Sequence, residues 1–162
     1  MKFLKRTLLL LLVALVIIQF FRPEKNISAS PSPNDITKNF SVPADVGQIL
    51  AVSCNDCHSN NTRYPWYHSI QPVAWWLHDH VTEGKRHLNF NKYGMYNLRR
   101  QYHKFEEIIE MVKQDEMPLP SYLIGHRDAE LSPEQKDKII TWSNDCMNVM
   151  KNMYPVDSLV RK

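Results

Sequence analysis

Glycine is scarce in this chain, with four residues in 162. That leaves little material for a glycine-rich all-β design with its many tight turns. Cysteine is scarcer, at three residues, too few for the paired ligand clusters of a typical structural zinc site. Internal repeats are absent, and no stretch alternates apolar and polar residues convincingly enough to make a sheet. An excess of one charge is also missing where it would count. Four of the 20 basic residues (Lys2, Lys5, Arg6 and Arg22) flank an apolar leader, leaving 16 against 17 acidic groups in the remaining 140 residues. Nucleic acid is therefore not an expected partner, since phosphate binding needs clustered Lys and Arg.

What is present begins with the leader. Thr7 to Phe21 is almost wholly apolar behind Lys2, Lys5 and Arg6. It is shorter than the ~20 residues of a comfortable span, but extension back to Phe3 gives a segment that can just cross. No small-x-small cleavage site follows. The expectation is an uncleaved signal-anchor over residues 1–22, single-pass in the cytoplasmic membrane, with a cleaved signal peptide as the alternative. The basic residues would stay in the cytoplasm and the remainder would lie in the periplasm. Residues 23–40, with Ser28-Ala29-Ser30-Pro31-Ser32-Pro33 at their middle, read as a flexible tether. A single domain is expected over residues 41–162.

Within that domain the periodicity is helical, and a hydrophobic content of 43% allows a modest core. Val46, Ile49, Leu50 and Val52 recur at helical spacing and run into Cys54. Pro72 opens a helix carrying Val73, Trp75, Trp76, Leu77 and Val81 and ending near Gly84. A longer helix is predicted from Tyr96 to Gln114, stopping near Met117-Pro118 because proline disfavours helix in the residue before it. Ser132-Pro133-Glu134-Gln135 is a strong helix start, followed by Ile139, Ile140, Trp142, Cys146, Val149 and Met150. Cys146 reads as a small buried hydrophobe. The fold class expected is mainly α: a cytochrome c-like helical domain behind an anchor helix and tether.

The chemistry-bearing feature is Cys54-Asn55-Asp56-Cys57-His58, a C-x-x-C-H run. Two thiols three positions apart can add across the two vinyl groups of one haem c, and the adjacent imidazole can ligate its iron. A thioredoxin-like dithiol would need a βαβ context, which is missing, and a Cys54–Cys57 disulfide leaves His58 unexplained. The motif occurs once, so one haem is expected. His58 is the proximal ligand on this reading. Met117 is the favoured distal ligand, because the prolines around Leu119 make Glu116-Met117-Pro118-Leu119-Pro120 a preorganised non-helical segment. His80 and His87 are its preferred rivals, ahead of the histidines at 68, 78, 103 and 126, and an open position is the remaining alternative. Trp66, Trp75 and Trp76, with Tyr67, could exclude water from the porphyrin, and Arg63 could donate to a propionate; plain core and a solvated turn residue are the respective alternatives.

These residues give the chain a family likeness. It resembles the bacterial haem-binding domain family of small, singly anchored proteins with a c-type motif. The resemblance runs through Ile18-Gln19-Phe20-Phe21-Arg22-Pro23, Cys54 to His58, Tyr64-Pro65-Trp66-Tyr67, Ile70-Gln71-Pro72-Val73 and Trp75-Trp76-Leu77. It continues in His80-Val81, Glu83-Gly84, Leu88-Asn89-Phe90, Glu116-Met117-Pro118-Leu119, Tyr122, Leu131-Ser132 and Trp142. It implies haem binding of cytochrome c type and fixes no redox partner. Lys85-Arg86-His87 stands where the family more often has a basic pair and another residue, so ligation by His87 would be particular to this chain. The resulting expectation is a monohaem electron carrier, not an enzyme, serving a membrane or periplasmic redox protein. A haem enzyme or a gas or peroxide sensor with an exchangeable distal ligand is the alternative, and a colourless metal or thiol-redox module a third.

Overall fold

Helices form where apolar residues recur every three or four positions, and the computed structural model, which describes residues 1–160, contains eight of them. In chain order they are α1 (Lys2–Ile18), α2 (Ala44–Ser53), α3 (Asn55–His58), α4 (Val73–His87), α5 (Leu98–Lys113), α6 (Pro120–Leu123), α7 (Pro133–Met153) and α8 (Val156–Leu159). Short 3-10 turns cover Ile36–Lys38, Trp66–Ser69, Phe90–Met95 and Arg127–Ala129. Among the described residues no strand is present beyond an isolated antiparallel bridge between Ile27 and Asn61.

The core lies between α5 and α7, closed at its sides by α2 and α8. Phe105 of α5 is fully buried among Phe40, Tyr93 and Trp142, with ring centroids 5.1, 5.4 and 5.6 Å away. The Phe40 and Trp142 rings meet Phe105 edge-to-face, packing that adds ~0.5–1.5 kcal/mol per pair to the burial itself. The polar tips are satisfied: Tyr93 donates to the Gln101 carbonyl at 2.6 Å, and Trp142 Nε1 donates to that of Ser41 at 3.0 Å. Cys146 is buried in the same cluster, as its helical spacing implies.

The start of α7 is the predicted capping box. Ser132 Oγ accepts from Gln135 N at 3.2 Å, and Gln135 Oε1 accepts from Ser132 N at 2.8 Å, with Pro133 in the first turn. The end of α5 differs in cause from the expectation. The helix stops at Lys113, before the prolines, because Asp115 takes a left-handed conformation (φ 58°) and sends Glu116 N and Met117 N back to the Met111 carbonyl. Asp is among the few side chains that tolerate this conformation.

The N-terminal region departs most from its sequence reading. None of the described helices is long and apolar enough to cross a membrane. The segment expected to span, residues 3–21, contains a helix of 17 residues, Lys2–Ile18, ~26 Å long, whose first turns carry Lys2, Lys5 and Arg6. The helix ends at Ile18, where the N–H groups of Gln19, Phe20 and Phe21 tighten to bonds three residues back, and the Gln19 side chain meets the domain. Gln19 Oε1 accepts from Gln71 N at 2.9 Å, and Gln19 Nε2 donates to Gln71 O at 3.2 Å. Residues 23–40, expected as a tether, lie as a strap along the domain. Asn26 N donates to the Tyr64 hydroxyl at 2.7 Å, and Asn26 Nδ2 donates to Ser59 O and Thr62 Oγ1, each at 2.9 Å. Lys85 of α4 donates to Asn26 Oδ1, and Ile36 and Phe40 enter the core. Two apolar residues spaced four apart and one asparagine thus fix a segment whose average composition is polar.

Candidate functional site

The C-x-x-C-H run straddles a break between helices. α2 ends at Ser53, Cys54 leaves helical geometry, and one turn of α3 carries Cys57 and His58. That turn is pressed against α4 so closely that a Cβ on Gly84 would stand 2.7 Å from the Cys57 carbonyl oxygen and 2.9 Å from Cys57 Cβ. Glycine at 84 is therefore what lets the two helices meet. The contact also orients the imidazole. His58 Nδ1–H donates to the carbonyls of Gly84 and Leu88, each at 3.0 Å. With Nδ1 so engaged, Nε2 is the nitrogen left for a metal ion, the usual arrangement behind a ligating histidine.

His58, Cys54 and Cys57 line a cavity of about 350 Å³ between α3, α4 and the segment after α5. Met117, Pro118 and Leu119 line it too, so the thioether expected as distal ligand shares the cavity with the imidazole. His80 and His87 line it as well. His80 Nδ1–H donates to the Trp76 carbonyl at 2.8 Å, and His87 stands 3.8 Å from Glu83. The tryptophans are distributed differently. Trp76 borders a smaller adjoining cavity with Tyr67 and Tyr122, whereas Trp66 and Trp75 line neither. Trp66 is exposed, and Trp75 Nε1 donates to the Phe21 carbonyl at 2.9 Å.

Between the two cysteines, Asp56 is buried and collects four contacts. Its carboxylate accepts from Arg63 N at 2.9 Å, Arg63 Nε at 3.3 Å, Arg63 Nη2 at 3.5 Å and the Tyr122 hydroxyl at 2.7 Å. Arg63, read from sequence as a propionate donor, is thus engaged by Asp56 and, through Nη2, by the Val52 carbonyl at 3.3 Å. Sequence reasoning missed Asp56, Tyr122 and Gly84 as site residues. The retrievable signal was an acidic residue inside the motif, with an arginine seven positions on to pair with it.

Burial dominates the electrostatics. It pushes the Cys54 thiol up to about 12 and the Cys57 thiol up to about 11, with the neighbouring Cys57 and Asp56 adding to the respective shifts. Both are protonated at neutral pH, the reverse of a redox dithiol, whose attacking cysteine is shifted down. Burial also holds His58 below its ordinary value, against the raising effect of the Leu88 and Gly84 carbonyls, so the imidazole is neutral and its lone pair available. Burial first, and then the Asp56 carboxylate, raise the Tyr122 phenol, which stays a donor.

Paired thiols, a neutral oriented imidazole and a thioether around one cavity form a donor set that fits haem. A fold and site of this kind define a helical haem-binding protein. A family model described as a haem-binding domain matches residues 13–145, most of the chain, and the protein belongs to that family. The match takes in the last third of α1 and the whole strap, segments that the hydrogen bonds of Gln19 and Asn26 join to the domain. No curated protein and no solved structure matches the chain.

Proposed function

We propose that the protein is a monohaem c-type carrier of single electrons, with haem held covalently through Cys54 and Cys57 and ligated by His58 and Met117. The observation that carries this reading is the meeting of His58, both cysteines and Met117 around one cavity, with His58 Nδ1 already committed to two carbonyls. Haem bound there supplies a reversible one-electron iron couple. The chain's own residues do the rest. Gly84 and Leu88 fix the imidazole plane, and Asp56 with Arg63 and Tyr122 ties the motif to the segment after Met117. A thioether opposite an imidazole favours the reduced metal and fills the position that oxygen or peroxide would use. That points to a carrier rather than an enzyme. An exchangeable distal position, as in a gas or peroxide sensor, is the second reading; it draws on His80 and His87, which line the same cavity as Met117.

The proposed setting is the outer face of the bacterial cytoplasmic membrane, with a membrane or periplasmic redox protein as partner. Covalent haem attachment on that side of the membrane and the apolar surface of α1, none of whose residues is buried, support it.

The test is a haem stain of the denatured protein after co-expression with a c-type maturation system, beside the Cys54→Ala/Cys57→Ala variant. Stain that survives denaturation only with both cysteines supports covalent haem. A colourless wild type sinks the reading.

A further inference from the structure

The end of α1 is bonded to the domain, and the side chains around that junction are large, apolar and exposed. Phe20 is 82% exposed and Trp66 80%, and Phe21, Ile70 and Trp75 are exposed with them. They belong to segments that the hydrogen bonds draw together. Gln71 N donates to Gln19 Oε1 at 2.9 Å, Gln71 Nε2 donates to Phe21 O at 2.6 Å, and Trp75 Nε1 donates to the same oxygen at 2.9 Å. Ile70 precedes Gln71, and Trp66 opens the 3-10 turn that packs on α4.

We infer that Phe20, Phe21, Trp66, Ile70 and Trp75 form one lipid-facing surface that seats the haem domain against the headgroup layer where α1 ends. The inference rests on the membrane reading of α1 given above. Three observations favour a lipid surface as the occupant. The patch is continuous with α1, none of whose apolar side chains is buried by the domain. Its composition, tryptophan and phenylalanine with the Trp75 N–H already satisfied by a carbonyl, suits the boundary between acyl chains and headgroups. Arg22 follows Phe21 directly, Lys25 stands three residues further on, and both can meet anionic headgroups. The domain is then held by two elements, an apolar helix and an aromatic collar, locked together by the Gln19–Gln71 pair.

The experiment uses the full-length haem-loaded protein in vesicles of phosphatidylcholine and phosphatidylglycerol carrying a photoactivatable diazirine high on one acyl chain, with labelled peptides mapped by mass spectrometry. The expected result is label on α1 and also on the peptides containing Trp66, Ile70 and Trp75. The Gln19→Ala variant should lose label on those peptides, keep it on α1, and retain the wild-type haem spectrum. Label confined to α1 in the wild type overturns the inference while leaving the membrane reading of α1 intact. Protection of the patch by a second copy, detected as a crosslinked dimer, overturns it too. Absence of label throughout defeats the reading of α1 and, with it, the inference.

Discussion

The Tyr122 hydroxyl donates to the buried Asp56 carboxylate at 2.7 Å, joining α6 to the one-turn helix that carries Cys57 and His58. Because α6 follows Met117 within a few residues, this bond links the two sides of the cavity. Tyr122→Phe should destabilise the protein by about 1.5–3 kcal/mol, the range for a hydrogen bond to a charged group. Thermal unfolding measures that. The same variant should bind carbon monoxide more readily in the reduced state than the wild type does. Unchanged stability and unchanged ligand binding would remove Tyr122 from the site.

Gly84→Ala places a methyl group 2.7 Å from a backbone oxygen of Cys57, which cannot swing aside. α3 and α4 must part, and the expected loss is about 1–3 kcal/mol, typical of overpacking. Haem incorporation should fall with it, because His58 Nδ1 donates to the carbonyl of Gly84 itself. Haem yield per milligram of purified protein, read beside the melting temperature, checks both effects.

Met117→Ala should open the iron to cyanide in the oxidised protein and to carbon monoxide in the reduced one. Titrations followed by absorbance spectroscopy decide it. Spectra identical to the wild type's would assign the distal position elsewhere, with His80 and His87 next in line because both face the cavity.

His58 makes stability depend on pH in the haem-free chain. Its folded value is held below the unfolded one, chiefly by burial, so the unfolded chain takes up the proton more readily. Its contribution is fully present above the unfolded value, ~6.5, and is lost as pH falls below that towards the folded value. Denaturant titrations at pH 7.5 and 5.0 should show a larger drop for the wild type than for His58→Gln. Equal drops would mean that His58 does not titrate on unfolding.

The α5–α7 core and the α7 cap were legible in the sequence because both are local signals: spacing by three and four, and a hydroxyl followed by proline and glutamine. The cavity side of the site was legible through C-x-x-C-H and Met117. The strap was not. Its Ser-Pro composition describes its solvent side, while Asn26, Ile36 and Phe40 act through partners 32 or more residues away in the chain, such as Thr62, Tyr93 and Phe105. Arg63 and the tryptophans illustrate the same limit. A residue type states what a side chain can do, but Asp56 and the Phe21 carbonyl, which claim Arg63 and Trp75, are set by packing.

The two carbonyls beneath His58 are those of Gly84, in the last turn of α4, and Leu88, the residue that caps the helix. They form the negative pole of that helix's dipole, aimed at the imidazole N–H. An imidazole polarised in this way is a more electron-rich donor to iron and stabilises the ferric state. In the proposed centre the two faces of the cavity would therefore pull the redox potential in opposite directions, α4 downwards and a Met117 thioether upwards. Lengthening α4 by one turn, or fraying its end, would retune the centre without touching a ligand.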